Sequence, residues 1–369
     1  MQMIRLLCFL FCNFFSLVVP LMAQVPPFAE STVFGGSKLF IEEFIPSMSA
    51  KISPSRKYFA IGFAQGDQGA GKFISGLDDF ASGDFQKVNN AVIKLGDAPW
   101  GLRSSSYGLS IHERGTTISI TRQEMTSLWA YAWFDNETVN FDVRRSVTDK
   151  VSISSVGSSK SGAFFYGGTL RIERWNYGNE FKLLRSYPDS NSFAYNNLDS
   201  LADAYGEPWE IANINQAKSL LDYDDTPNKN ITYALDLFAG LEIAGSLRLA
   251  IHSDRLTTRY LGDIEEKPQF RGGAQIDLGS FAQLSLEADL NEAMRVPFPH
   301  LRKSESVSLK IKANALITFT IGAERVTLNG HETTRAGLNA WITGKKHRMG
   351  MGFQFGQDTT PWGATWRSL

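Results

Sequence analysis

"FAQLSLEADL", residues 281–290, decides how the chain is read. Ala282, Leu284, Leu286, Ala288 and Leu290 fall on one side of an extended backbone. Gln283, Ser285, Glu287 and Asp289 fall on the other. Successive side chains of a strand point to opposite faces, so this period of two gives one apolar face and one polar face. The pattern recurs outward from here. "SVSLKIK" at 306–312 sets Val307, Leu309 and Ile311 against Ser308, Lys310 and Lys312. "TVNFDVR" at 138–144 sets Val139, Phe141 and Val143 against Asn140, Asp142 and Arg144. "GSLRLAIH" at 245–252 sets Leu247, Leu249 and Ile251 against Arg248 and His252.

Two architectures produce such alternation. A soluble sandwich packs the apolar face into its core and wets the polar one. A membrane barrel turns the apolar face to lipid and lines its lumen with the polar one. Three features favour the barrel. The strands are long, as in "ITYALDLFAGLEI" at 231–243. Tight turns join neighbours at Ala244-Gly245 and Gly344-Lys345-Lys346. Glycines stand inside strands, at Gly167, Gly168, Gly272, Gly273, Gly350 and Gly352, where a curved sheet needs them. The expectation is an all-β fold: a transmembrane antiparallel β-barrel of about 14 strands, counting segments of about ten residues plus turns. The alternative is a secreted soluble β-sandwich that binds carbohydrate or another surface ligand through exposed aromatics. Rings near strand ends (Trp129, Tyr131 and Trp133; Phe164, Phe165 and Tyr166; Trp362 and Trp366) are expected at the two membrane interfaces.

The N-terminus agrees with export. A basic Met1–Arg5 start, an uncharged apolar run and a small residue at Ala23 describe a cleaved signal peptide over 1–23. Both cysteines, Cys8 and Cys12, lie inside it, so the mature chain has neither disulfide nor zinc-thiolate site. The net charge is −1, and losing Arg5 with no acid takes it to −2. No basic stripe is present, so no nucleic-acid partner is expected. Residues 24–369 then form a single barrel, interrupted around 196–222. There "NNLDSLADAYGEPWEIANINQAKSLL" changes to helical spacing and reads as a helical loop or plug. The early strands, 35–125, alternate poorly and leave their outward face open.

"GDQGAGKF", 66–73, spells part of a phosphate-binding loop. The motif needs Ser or Thr after its lysine to hold magnesium, and Phe73 stands there. The glycines of "FISGLDDFASGDF" also argue against the required helix. The stretch reads as a loop after the strand 57–65. Catalytic patterns are equally thin. His112, His252, His300, His331 and His347 are scattered, with no H-E-x-x-H and no G-x-S-x-G. Ser246 and His252 share a strand's polar face, which makes no triad. An envelope hydrolase would have to rest on His112 or His252. No enzyme activity, cofactor or metal site is expected.

Several stretches resemble one family. "FYGGTLRIERWNYGNEF" (165–181), "YALDLFAGLEIAGSLRLAIHSDRL" (233–256), "ITFTIGAERV" (317–326) and "TRAGLNAWITGKKHRMGMGFQFG" (334–356) follow one another as in conjugal-transfer TraF-like outer-membrane proteins. These are related in architecture to the FadL and PorV barrels. The resemblance covers roughly 160–356. It departs from the family in lacking an Asn-Pro-Ala loop near the mature N-terminus, and in closing on Leu369 with no terminal aromatic. It implies an outer-membrane barrel that passes small or hydrophobic solutes, or that serves secretion or another envelope task. Its partners would be outer-membrane lipid, the barrel-assembly machinery and a small hydrophobic solute. The polar faces nominate Arg248, Arg271, Glu287, Asp289, Lys310 and Lys312 as lumen-facing. Side chains of both signs there imply a narrow or plugged channel.

Overall fold

The computed structural model describes residues 57–68, 100–113, 116–132, 138–185, 210–211, 225–261, 264–295, 298–356 and 362–368. The expected signal peptide at 1–23 lies outside the described residues. So does the expected helical loop or plug at 196–222, apart from Glu210–Ile211, which form a short strand.

The chain runs through β1 (Lys57–Gln68), β2 (Trp100–Glu113), β3 (Thr116–Ala132), β4 (Thr138–Ser158), β5 (Phe164–Arg185) and β6 (Glu210–Ile211). It continues through β7 (Asn228–Ile243), β8 (Leu247–Asp254), β9 (Arg259–Leu261), β10 (Ile264–Glu266), β11 (Gln269–Leu278) and β12 (Ala282–Asp289). It ends with β13 (Ala293–Arg295), β14 (Phe298–Lys312), β15 (Ile317–Leu328), β16 (His331–Thr343), β17 (His347–Gly356) and β18 (Trp362–Ser368). Fourteen of these form a ring of antiparallel neighbours, β1-β2-β3-β4-β5-β7-β8-β11-β12-β14-β15-β16-β17-β18, and β18 pairs back onto β1. Closure removes the free edges that a sandwich keeps. Short β6 adds parallel to β5, β13 adds to β14, and β9 with β10 forms a separate hairpin.

The two faces are inverted relative to a soluble protein. In β15, Thr318, Thr320 and Glu324 are buried, while Phe319 and Ile321 are exposed. The same holds around the ring: Ile120, Val151, Ile172 and Leu249 are exposed, and Ser119, Ser152, Glu173 and Gln275 are buried. Apolar outside and polar inside is the arrangement of a barrel that spans a membrane. A sandwich would bury the apolar face, so the fold excludes that alternative.

Local chemistry fixes the register. Asn329 and Gly330 have φ of 49° and 81°, and Ala244 and Gly245 have 51° and 72°. Two successive positive φ values match the twist of a two-strand hairpin. The strand glycines have a packing reason. Gly167 stands opposite Phe238, Gly240 opposite Phe165, and Gly350 opposite Trp341. A Cβ on Gly240 would lie 2.4 Å from the Phe165 ring and 2.6 Å from the Leu249 carbonyl oxygen. Backbone cannot yield as a side chain can, so Gly240→Ala is expected to cost about 1–3 kcal/mol. A lowered urea midpoint of the folded barrel in detergent checks this; an unchanged midpoint contradicts it.

Three expectations are corrected. Trp129 is not an interface ring: it is buried on the inward face against Leu102 and Leu328, with the His300 ring 4.1 Å away. Ser246 sits in the turn before β8 and is exposed, so it shares no strand face with His252. The glycine stretch begins inside β1, where Gly66, Asp67 and Gln68 pair antiparallel with Ser104, Arg103 and Leu102. That is barrel wall, not the parallel strand that precedes a phosphate loop. Trp362 and Trp366 close the ring by packing on Phe63 and Phe59 of β1 at 5.2 and 6.2 Å.

The two ends differ. One carries the short connections 114–115, 159–163, 244–246, 279–281, 313–316 and 344–346. The other carries 69–99, 133–137, 186–227, 255–268, 290–297, 329–330 and 357–361.

Candidate functional site

At the long-loop end the chain leaves the wall after β8 and turns inward. The turn is made at Arg255, whose φ is 68°. A non-glycine residue holds such a conformation only where its surroundings impose it. Here the Arg255 amide donates to Asp236 Oδ1 at 2.8 Å, and its Nη2 donates to Glu173 Oε2 at 2.7 Å. The β9–β10 hairpin that follows is two-faced. Arg259, Leu261, Ile264 and Glu266 are buried, whereas Tyr260 is 67% exposed.

The buried face rests on inward side chains of β5 and β7. Arg259 Nη1 donates to Glu173 Oε2 at 2.7 Å and to Thr232 Oγ1 at 2.9 Å. Its Nε donates to Glu266 Oε2 at 2.5 Å, and its guanidinium lies 4.0 Å over the Trp175 ring. Arg171 joins the same group. Its Nη2 reaches Asp236 at 2.8 Å and Asp254 at 2.7 Å, and its Nε lies 3.4 Å from Glu173. Lys150 Nζ stands 3.8 Å from Glu173. Lys150, Arg171, Arg255 and Arg259 therefore face Glu173, Asp236, Asp254 and Glu266. Buried charges are tolerable when paired in this way, and leaving one unpaired is strongly unfavourable.

Beside this clasp lies an apolar cluster. Trp175 and Tyr177 of β5 pack with Leu261 and Ile264 of the hairpin, and Met294 of β13 packs against them. The hairpin thus reaches from β5 to β13, across the wall formed by β7, β8, β11 and β12. Tyr177 keeps its polar end satisfied, its hydroxyl accepting from Arg144 Nη1 at 2.9 Å. The arrangement buries an apolar cluster inside the lumen, beneath a hairpin that ion pairs hold to the wall.

Among the residues nominated from sequence, Arg271, Glu287 and Asp289 come together. Arg271 Nε donates to Asp289 Oδ1 at 2.9 Å and Nη1 to Glu287 Oε2 at 3.2 Å; Nη2 also donates to Ser304 Oγ. Asp289 accepts the Ser304 backbone amide at 2.7 Å, replacing a ladder bond where β12 ends. Arg248 is apart from them, donating to Gln275 at 2.7 Å and Asp277 at 3.2 Å. Lys310 is half-buried and Lys312 exposed near the short-turn end, and neither has an ion pair among the described residues. The sequence reading missed Glu173, Asp236, Arg255, Arg259 and Glu266. Gly262-Asp263, between "RYL" and "IEE", is a hairpin signal that could have found the last two.

No protein family matches the chain, and no curated protein matches it in sequence. Solved structures do match in fold. The TodX monoaromatic hydrocarbon channel, as a deltaS2 mutant, has a TM-score of 0.50 at 9% identity, covering 92% of this chain and 96% of that one. The CymD monoaromatic hydrocarbon channel has a TM-score of 0.50 at 9% identity, covering 94% and 97%. At such identity the similarity concerns the fold alone.

Proposed function

We propose that the chain is an outer-membrane channel for small hydrophobic solutes. The observation that carries this reading is the inward hairpin with its buried apolar cluster, Trp175, Tyr177, Leu261 and Ile264, beside the ion pairs that hold it to the wall. A pore for hydrophilic solutes needs a wet path. Release of the hairpin would bare that cluster, and apolar surface of this kind suits a solute that leaves water to bind there. The fold shared with two channels described as monoaromatic hydrocarbon channels supports the same reading. The short turns would face the periplasm and the long connections the outside, as in bacterial barrels. Partners are then outer-membrane lipid and the barrel-assembly machinery. The stretch at 165–181 that resembles TraF-like proteins supplies Arg171, Glu173, Trp175 and Tyr177, so that resemblance concerns the same part of the wall.

Uptake into cells with and without the chain tests this, with radiolabelled toluene and a sugar of comparable size. Toluene entry should rise severalfold and sugar entry should not. Equal entry of both, or no change in either, would remove the reading.

A further inference from the structure

The outer wall of β2–β5 carries an unusual juxtaposition. Cross-strand pairing aligns side chains in rows. One row is Leu109, Ile120, Val151 and Ile172, all apolar and exposed. The next row toward the long-loop end is Tyr107, Arg122, Asp149 and Arg174. On β3, β4 and β5 the apolar belt therefore gives way to charge at one level, with Tyr107 beside it on β2. Below, Ile118, Ile153 and Leu170 continue the belt. At about 3.4 Å per residue, rim to lower row spans roughly 13 Å along the strands.

A barrel wall facing lipid is ordinarily convex. Here a concavity of about 410 Å³ opens at this boundary, floored by Leu109, Ile120, Val151 and Ile172 and rimmed by Arg122, Asp149 and Arg174. The rim is unevenly balanced. Arg122 is held by Glu124 at 3.0 Å and lies 3.6 Å from Asp149, and Arg145 reaches the other oxygen of Glu124 at 3.2 Å. At the rim itself Arg122 and Arg174 stand with one carboxylate, Asp149. Arg174 is exposed and has no ion pair among the described residues.

We infer that this concavity seats a phosphate-bearing acylated lipid of the membrane leaflet at the long-loop end. Its acyl chain lies on Ile120, Val151 and Ile172, and its phosphate sits on Arg174 with Arg122 alongside. The charge supports this occupant over a neutral lipid: an exposed guanidinium at a belt edge pairs well with phosphate. The apolar floor supports it over a free anion, which would leave that surface uncovered. The inference concerns the outside of the barrel and does not depend on the solute path.

Native mass spectrometry of the full chain in neutral detergent tests it, with titration of dioleoyl phosphatidic acid, of dioleoylglycerol as its phosphate-free analogue, and of inorganic phosphate. Phosphatidic acid should be retained on the order of tenfold more tightly than dioleoylglycerol, the scale of one charge-assisted contact. Arg174→Gln should abolish that difference, and inorganic phosphate at equal concentration should not displace the lipid. Equal retention of the two lipids, an undiminished preference in the variant, or displacement by inorganic phosphate would each overturn the inference. Arg174 is exposed, so the variant should keep the folded barrel's mobility on an unboiled gel.

Discussion

Glu173→Gln should open the lumen. The Glu173 carboxylate accepts from both Arg255 and Arg259 at 2.7 Å, with Arg171 and Lys150 close behind. Glutamine keeps the shape and removes the charge, leaving four cations facing three carboxylates. Removing one partner from a buried charge network costs about 3–5 kcal/mol. Most of that falls on the hairpin, because Arg259 and Glu266 are tethered to the wall through Glu173. At about 1.4 kcal/mol per tenfold, a ratio of seated to released hairpin would shift on the order of a hundredfold. Planar-bilayer conductance should rise several-fold, and trypsin should cut at Arg259 or Arg255 in the folded barrel. Unchanged conductance with both arginines still protected would contradict the clasp.

Ile321→Arg should prevent assembly. Ile321 is 51% exposed on the outward face of β15, between the buried Thr320 and Gly322. In a membrane barrel an arginine near the bilayer midplane costs about 2–4 kcal/mol, falling to about 0–1 kcal/mol near the interface. Leu316→Arg, in the turn that opens the same strand, is the matched control; Leu316 is also exposed, at 53%. Folding yield into lipid vesicles should collapse for Ile321→Arg and stay near wild type for Leu316→Arg. Equal yields would mean that the outward face meets water.

The later strands were legible in the sequence because their two faces differ strongly. In 281–290 and 306–312, leucine and valine alternate with charge or serine. The early strands were not, and the reason is physical. The inward positions of β1 and β2 include Ala60, Gly62, Ala64, Gly108 and Ser110, which are neither polar enough nor apolar enough to mark a face. Trp129 was misassigned because sequence alone cannot tell an aromatic in a girdle from one in a lumen. The Arg271–Glu287–Asp289 group was half legible: alternation gave the shared face, and only the pairing of β11 with β12 joined them. The clasp was hidden because its parts lie far apart in the chain. Glu173 meets Arg255 and Arg259 through the inward turn of a connection that has no period.

The central claim is a closed barrel with its apolar face in lipid. Membrane fractionation, followed by a gel of boiled against unboiled sample in detergent, tests it most directly. The chain should extract from membranes and run faster unboiled, as a compact ring that detergent alone does not open. A chain that stays soluble without detergent and shows no mobility shift would contradict the account.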